Sequence, residues 1–600
     1  MCGIAGAIDA SRDRAAARVR LINDAQQHRG PDHGVLARVS GFTLGNTRLA
    51  IQDPGIAGNQ PFVSLDGRYH CVFNGEIYNH RELVRRHGLA VRTNCDGEVI
   101  PALWSKLGIA SLAELRGMFA IAVVDSLEGR LYLARDPFGI KPLHWRVIPD
   151  GLLFASEIRP LIQVAGSAQI YPQAIARYLH LGATAADQAP FLEITALPPN
   201  SVASFNCDCH STIQPIQPDG PLEAAVPHAD LEKALTESVQ LHLAADVPSA
   251  LLLSAGVDSA TIAAVGRSLG RDLHCLTVAT EDSTDESETA AETARHYGHR
   301  FQRVPAMLTA DDVLTFFAAM QRPSIDGLNN YVVCKAVHEA GFKVALSGLG
   351  GDEAVGGYSH FRLLRYLSAL RAFDALPSQV NGAAAKALAH LGLAGETKLK
   401  RLLASDGPRE GWELVRLQRE VLPEALVTEL TGVSCCDSAS MPARSRPWPG
   451  QFAAMVAAEV TLYLQATLLA DADAFSMASS VELRVPFVDC QVVSASLRLA
   501  SENGKRPGKK AAGRALHDAY LVHLATAPKR GFSLPMQRWM SGPLSPVLKA
   551  ADDPAAAIWS VLDREVAERA GLLPLRPGRR WSEAWTLAAL NGWLEAIKGR

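Results

Sequence analysis

Two rhythms of apolar and polar residues divide the chain near residue 230. Beyond it, residues 231–239 carry apolar side chains at helical spacing, with Asp230 placed just before them as an N-cap. Residues 251–253 are three consecutive leucines, the pattern of a short strand buried on both faces. Small residues fill 254–259, and 260–265 open a helix that ends near Gly270. A second buried strand is predicted over 273–279, a second helix over 286–297 and a later strand over 344–347. This alternation implies a parallel sheet with helices on both faces, binding its ligand at the carboxyl ends of the strands.

Before residue 205 the pattern is different. Apolar strands are short, and turn residues follow them directly, as where Val72-Phe73 runs into Asn74-Gly75. A further strand is predicted over 131–134. Residues 206–228 are turn-rich and have no apolar period, which makes them a linker between domains at 2–205 and 229–600. Residues 360–450 hold Ala-rich helical stretches and a polar segment containing proline, with no readable motif.

Length and composition narrow the class. Six hundred residues exceed what one core holds. The chain is 48% hydrophobic and 20% charged with a net charge of −3, so nothing electrostatic suggests nucleic acid or a membrane surface as partner. Ten cysteines without zinc spacing fit a reducing cytoplasm. No signal peptide is visible at the start, and no uncharged apolar run reaches about 18 residues.

Two places carry candidate chemistry on their residues alone. Ser254 to Ser259 join a strand to a helix, so backbone N–H groups and the positive helix end face an anion there. No Gly-Lys-Ser/Thr closes the loop, which excludes a Walker A sequence. At the other end of the chain, removal of Met1 would give Cys2 a free α-amino group beside its thiol. Such a group titrates at about 7.7–8.0 and can act as base for the thiol. The plain alternative is a buried strand with an incidental cysteine.

Motifs in order decide between these readings. Met1-Cys2-Gly3-Ile4-Ala5-Gly6, His28-Arg29-Gly30-Pro31-Asp32, Thr47-Arg48-Leu49 and Asn74-Gly75-Glu76-Ile77-Tyr78-Asn79 resemble the glutaminase domain of class II glutamine amidotransferases. The resemblance implies an αββα N-terminal-nucleophile fold in which Cys2 attacks the glutamine side-chain amide. It further implies that Asn74 and Gly75 stabilise the oxyanion and that Arg48 holds the α-carboxylate, with Glu76, Asn79 and Asp96 lining the glutamine site. Arg135-Asp136-Pro137-Phe138-Gly139-Ile140-Lys141-Pro142-Leu143 matches the same family and is carried over as scaffold.

The first loop, with Ser254, Gly256, Val257, Asp258 and Ser259, resembles the pyrophosphate loop of enzymes that cleave ATP to AMP and pyrophosphate. A second glycine-rich loop, Ser347-Gly348-Leu349-Gly350-Gly351-Asp352-Glu353, follows a strand in the same way. Two such loops downstream of a glutaminase-like domain are similar to the asparagine synthetase family. That resemblance implies an ATP site formed by the first loop with Leu253, Val278, Asp285, Ser347 and Gly348. It also implies Mg²⁺ at Asp258 and Asp352, although either carboxylate alone could equally cap a helix. Val481-Glu482-Leu483-Arg484-Val485-Pro486-Phe487-Val488-Asp489 and the segments around Lys510 and residues 528–535 match further family motifs. Lys510 is the expected catalytic lysine, with Lys509 as its rival. Glutamine, ATP and a carboxylate acceptor are the implied partners, and a homodimer is a further expectation.

Three residues depart from the family pattern. Asn46 stands where many relatives have histidine, and Ala255 stands where the loop usually has glycine, a change that is tolerable only at negative φ. Leu349 replaces a glutamate that contacts the reacting centre, and the polar segment 323–331 also differs from the usual aspartate site. The readings left are amidation of aspartate as default and the same chemistry on another carboxylate, such as a uronic acid or secondary-metabolite intermediate. A β-lactam or lasso-type cyclase and a non-catalytic binding protein are the remaining two.

Overall fold

The structure, a computed structural model, describes every residue except 1, 10, 219, 221, 223–229, 281–284, 367–410, 436–449, 504–506, 527–533, 577–580 and 600. Parts of the expected linker, of the motif-free region 360–450 and of the basic segments around 505 and 529 therefore lie outside the described residues.

The N-terminal part is a sandwich of two six-stranded sheets. Cys2–Asp9 lies inside the first sheet, antiparallel to Phe42–Arg48 on one side and Gly151–Ala155 on the other. All eight of its residues are buried, which explains why its sequence reads as a plain apolar run. Tyr69–Ile77 lies inside the second sheet, paired with Gly117–Asp125 and with the edge strand Phe62–Val63. Ile4, Phe42, Leu152 and Phe154 of one sheet pack on Val72, Ala122, Leu133 and Phe205 of the other. Each such fully buried side chain contributes about 1.5–3 kcal/mol. The helix Arg12–Ala25 covers the outside of the first sheet through Ala15, Val19 and Ile22, and Val99–Leu107 covers the second through Val99, Ile100 and Leu103. The layers are helix, sheet, sheet, helix, as expected.

The first unit extends beyond residue 205. Ser211–Pro215 pairs antiparallel with Ser201–Phe205 at the sheet edge, within the stretch expected to be linker. All five of its side chains are exposed, so it is held by backbone pairing and leaves no apolar pattern to read.

The second part is built on a five-stranded sheet in the order Arg300–Pro305, His274–Ala279, Ser249–Leu252, Val344–Leu346, Glu482–Arg484. Every pairing is parallel. Leu251, Leu253, Cys275 and Leu346 face the helices Leu231–His242, Val257–Ser268 and Ser287–Tyr297. Leu276, Val278, Ala345 and Leu483 face Ala310–Ala319, Leu328–Glu339 and Trp581–Ile597. Burial on both faces accounts for the unbroken apolar runs of these strands. Asp230 caps the first helix through the Glu232 N–H, as expected. Arg300–Pro305 and Glu482–Arg484 were not legible as strands, because both are largely charged or polar.

One long helix crosses this unit, from Gln451 to Met477. It is long and apolar enough to cross a membrane, but its apolar window is 72% buried inside the protein. Its middle, Val460–Leu468, winds as a π-helix between the α-helical segments Gln451–Glu459 and Leu469–Met477.

Buried charges join the two parts. Arg484, wholly buried, donates to Glu482 of its own strand, to Glu76 of the first unit (3.1 Å) and to the carbonyls of His242 and Ala244. Arg116 donates to Asp489 from its Nε (2.8 Å), and Asp473 receives both Arg29 and Lys141. Removing one partner of such a pair costs about 3–5 kcal/mol, because the other is left charged without water. Lys141 comes from the 135–143 motif and Glu482, Arg484 and Asp489 from the 481–489 motif, so both motifs serve the junction.

Candidate active sites

The nucleophile candidate sits at the end of a central strand, facing Arg48 directly across the sheet. The Cys2 nitrogen, which becomes the α-amino group once Met1 is removed, donates to Asn74 Oδ1 at 3.0 Å. The other end of the amide, Nδ2, is buried with no hydrogen-bond partner among the described residues. A buried donor left unused is costly in a resting protein, and it is what a developing oxyanion needs. Gly75 follows at φ +152°, and a Cβ there would lie 2.0 Å from the Met118 carbonyl oxygen. The turn expected at Asn74-Gly75 is instead continuous strand, with Gly75 opposite Phe119, and only glycine takes that φ so close to the neighbouring strand.

The other glutamine-site candidates are already engaged. Arg48 donates to the Gly55, Gln52 and Asp53 carbonyls and to Asn59 Oδ1, so it organises the 52–59 loop. Glu76 accepts from Gln52 and Arg484; burial, then Asp96, pushes its carboxyl well above the usual range. Asp96 accepts from the Ile77 N–H at 2.7 Å, and burial raises it too. Asn79 ties the Glu114 carbonyl to the Arg116 N–H and faces that turn. Gln60 was not foreseen: it brackets the backbone of Phe73 and sets its amide nitrogen 3.7 Å from Cys2 Sγ. Asp136 accepts from the N–H groups of Phe119, Phe138, Ile140 and Lys141, which fits the scaffold role expected for its motif.

The second site is a cavity of about 320 Å³ at the carboxyl ends of the parallel strands. Ser254, Gly256, Asp258 and Ser259 of the first loop line it, as do Ser347, Gly348 and Asp352 of the second. Leu253 and Val278 supply apolar wall at the strand ends. Ser254 and Ser259 hold each other at 3.0 Å, and Ser254 Oγ accepts the Gly256 N–H, so the loop is pre-formed. The two loops touch: a Cβ on Gly348 would lie 2.7 Å from the Ser259 nitrogen, and one on Gly351 2.5 Å from Asp258 Cγ. The glycines therefore let the two acidic loops lie against each other. Ala255 keeps a negative φ, so its methyl costs nothing, and its N–H donates to Glu286 at 3.1 Å.

Three of the expected residues are placed differently from the rest of the site. Asp285 turns away from the cavity to pair with Arg303 at 2.6 Å, and its neighbour Glu286 is the acid that lines the wall. Val257 is buried in the core as the first residue of its helix, so it contributes backbone to the site. Lys509, rather than Lys510, brings its ammonium to Asp352, at 3.4 Å. Lys510 instead precedes the helix Ala511–Ala515. In a run of adjacent lysines, only the fold decides which one turns inward.

The far side of the cavity is formed by Asn329, Asn330, Val333, Leu349, Glu353 and Leu468. Leu349 therefore lies in the cavity, where it was expected to matter. Burial holds the Glu353 carboxyl up at about 7, although a hydrogen bond from Tyr358 (2.5 Å) works against the rise. Among the described residues no group of three acidic, histidine or cysteine side chains converges as a metal site.

Comparison with known proteins agrees with both halves. Residues 1–214 match the model of a glutamine amidotransferase domain, and residues 230–595 match that of asparagine synthase. The chain is 31% identical to a Mycobacterium bovis protein provisionally named a glutamine-hydrolysing asparagine synthetase, over 90% of this chain and 88% of that one. It is 27% identical to asparagine synthetase 1 of Bacillus subtilis, over 91% and 89% of the two chains. It is also 29% identical to the amidase chyE of Penicillium rubens, over 60% of each chain. With a glutaminase-type sandwich joined to a nucleotide-binding parallel sheet, the chain belongs to the asparagine synthase family, as a carbon–nitrogen ligase that draws on glutamine.

Proposed function

We propose that the protein hydrolyses glutamine at Cys2 and uses the ammonia to amidate a carboxylate activated as its acyl-adenylate. The observation that carries this reading is the conjunction, in one chain, of Cys2 with the unpaired Asn74 Nδ2 and the two abutting acidic loops. Cys2 Sγ attacks the glutamine amide carbon, its proton passing to the α-amino group. Asn74 Nδ2 and the Gly75 N–H stabilise the oxyanion. Ammonia leaves, and water releases glutamate from the thioester.

At the second site the first turn of Val257–Ser268 and the serines of the first loop cradle the phosphates. The acceptor carboxylate attacks the α-phosphorus and pyrophosphate departs. Ammonia then attacks the adenylate and AMP departs. Asp258 and Asp352 are hard oxygen donors on touching loops and fit Mg²⁺ shared with phosphate oxygens. When bound, the ion neutralises charge on the phosphates. Lys509 stands beside Asp352, where it can stabilise the same charge.

Aspartate is the default acceptor. Leu349 in the cavity favours a second reading, the same chemistry on a different acid, because leucine can neither take a proton nor pair with the ammonium group of an amino acid. Pyrophosphate release with MgATP, ammonium chloride and single acids (L-aspartate, a hexuronic acid, a simple alkanoic acid) separates the two. Release with aspartate alone supports the default, and release with another acid but not aspartate supports the second reading. Silence with every acid counts against amidation.

A further inference from the structure

Arg29 is wholly buried and spends its guanidinium on three separate places. Its Nε donates to the Cys2 carbonyl at 3.2 Å, and its Nη1 donates to Glu157 at 3.2 Å. Its Nη2 reaches across the junction to Asp473, 3.1 Å from Oδ1 and 2.8 Å from Oδ2. Glu157 is fixed in turn by His28 at 2.9 Å. A planar fork held by three acceptors has one orientation, and loss of one arm frees it to turn. The carbonyl on its first arm belongs to the nucleophile.

Asp473 lies on Leu469–Met477, the last part of the long helix, just past the π segment. Leu468, the last residue of that π segment, lines the nucleotide cavity. One continuous helix therefore has a cavity wall at residue 468 and a hold on Cys2 at residue 473. π segments recur at functional sites, and a one-residue change of helical register turns the remainder of the helix by about 100°. A small space of about 30 Å³ borders Arg29, Glu157, Ala470, Asp473 and Ala474, and Lys141 also reaches Asp473, at 3.5 Å.

We propose that Asp473 is a positioning residue for the glutaminase: through Arg29 it fixes the Cys2 carbonyl, and through its helix it ties that geometry to occupancy of the nucleotide cavity. The proposal rests on the amidation reading. It gives the synthetase unit a direct mechanical line to the nucleophile, apart from any passage of ammonia.

The test measures glutamate release from glutamine by the full-length protein, alone and with a non-hydrolysable ATP analogue plus Mg²⁺. Binding of the analogue is followed by the shift in melting temperature. The wild type is expected to change its rate when the analogue binds. Asp473→Asn is expected to lower kcat about tenfold, as a small misplacement of the nucleophile would, with little change in KM, and to lose the response. Asp473→Glu should recover part of both. Should Asp473→Asn fail to fold, Arg29→Lys keeps the buried charge but loses the fork and is read in the same way. A variant with wild-type kcat and an intact response overturns the proposal, as does a wild type that binds the analogue without any change in rate. A wild type that releases no glutamate, or whose melting temperature ignores the nucleotide, overturns the amidation reading and the proposal with it.

Discussion

Cys2→Ala is expected to lower glutamate release from glutamine by at least about a thousandfold, since it removes the thiol that forms the proposed thioester. The change should leave ammonia-driven pyrophosphate release within about twofold of wild type, because Cys2 belongs to the sandwich and the nucleotide cavity to the parallel sheet. Alanine is close in volume at this buried position, so thermal stability should fall by no more than about 1 kcal/mol. Paired assays of glutamate and pyrophosphate check the separation. Retained glutamate release would show that hydrolysis does not run through Cys2.

Asp258→Asn is expected to do the converse. Asparagine keeps the shape of the side chain against Gly351, where the loops have no spare room, but removes its charge. If this carboxylate helps to hold the metal–triphosphate, pyrophosphate release should fall by about 100- to 1,000-fold, the usual cost of losing one electrostatic contributor to a transition state. Glutamate release should remain, reduced at most by loss of the nucleotide response. Equal loss of both activities would mean that the loop supports the whole fold instead of the phosphates.

Much of this was readable from the sequence, for identifiable reasons. The strand at 251–253, the helix after it and both glycine loops were legible because burial on two faces and close loop contact each restrict residue type. Asn74-Gly75 was legible as a constrained pair but not as what it is: the expected turn is a continuous strand, where φ +152° and the Met118 carbonyl demand glycine. What escaped was decided by side-chain direction. Asp285 and Glu286 are adjacent, as are Lys509 and Lys510; Glu286 lines the cavity where Asp285 pairs with Arg303, and Lys509 is the lysine that reaches Asp352. Gln60 gave no pattern, because its role comes from bracketing a strand distant in sequence. The junction motifs were legible as motifs, but not as a junction, since nothing local says that Arg484 meets Glu76.

The claim that the two sites work as one enzyme is tested most directly by following the nitrogen. Glutamine labelled with ¹⁵N in its side-chain amide is supplied with MgATP and the acid that supports pyrophosphate release, and products are read by mass spectrometry. The account predicts ¹⁵N in the product amide, with glutamate and AMP formed in step with it. Glutamate and free labelled ammonia without any labelled amide, under conditions where AMP accumulates, would contradict it.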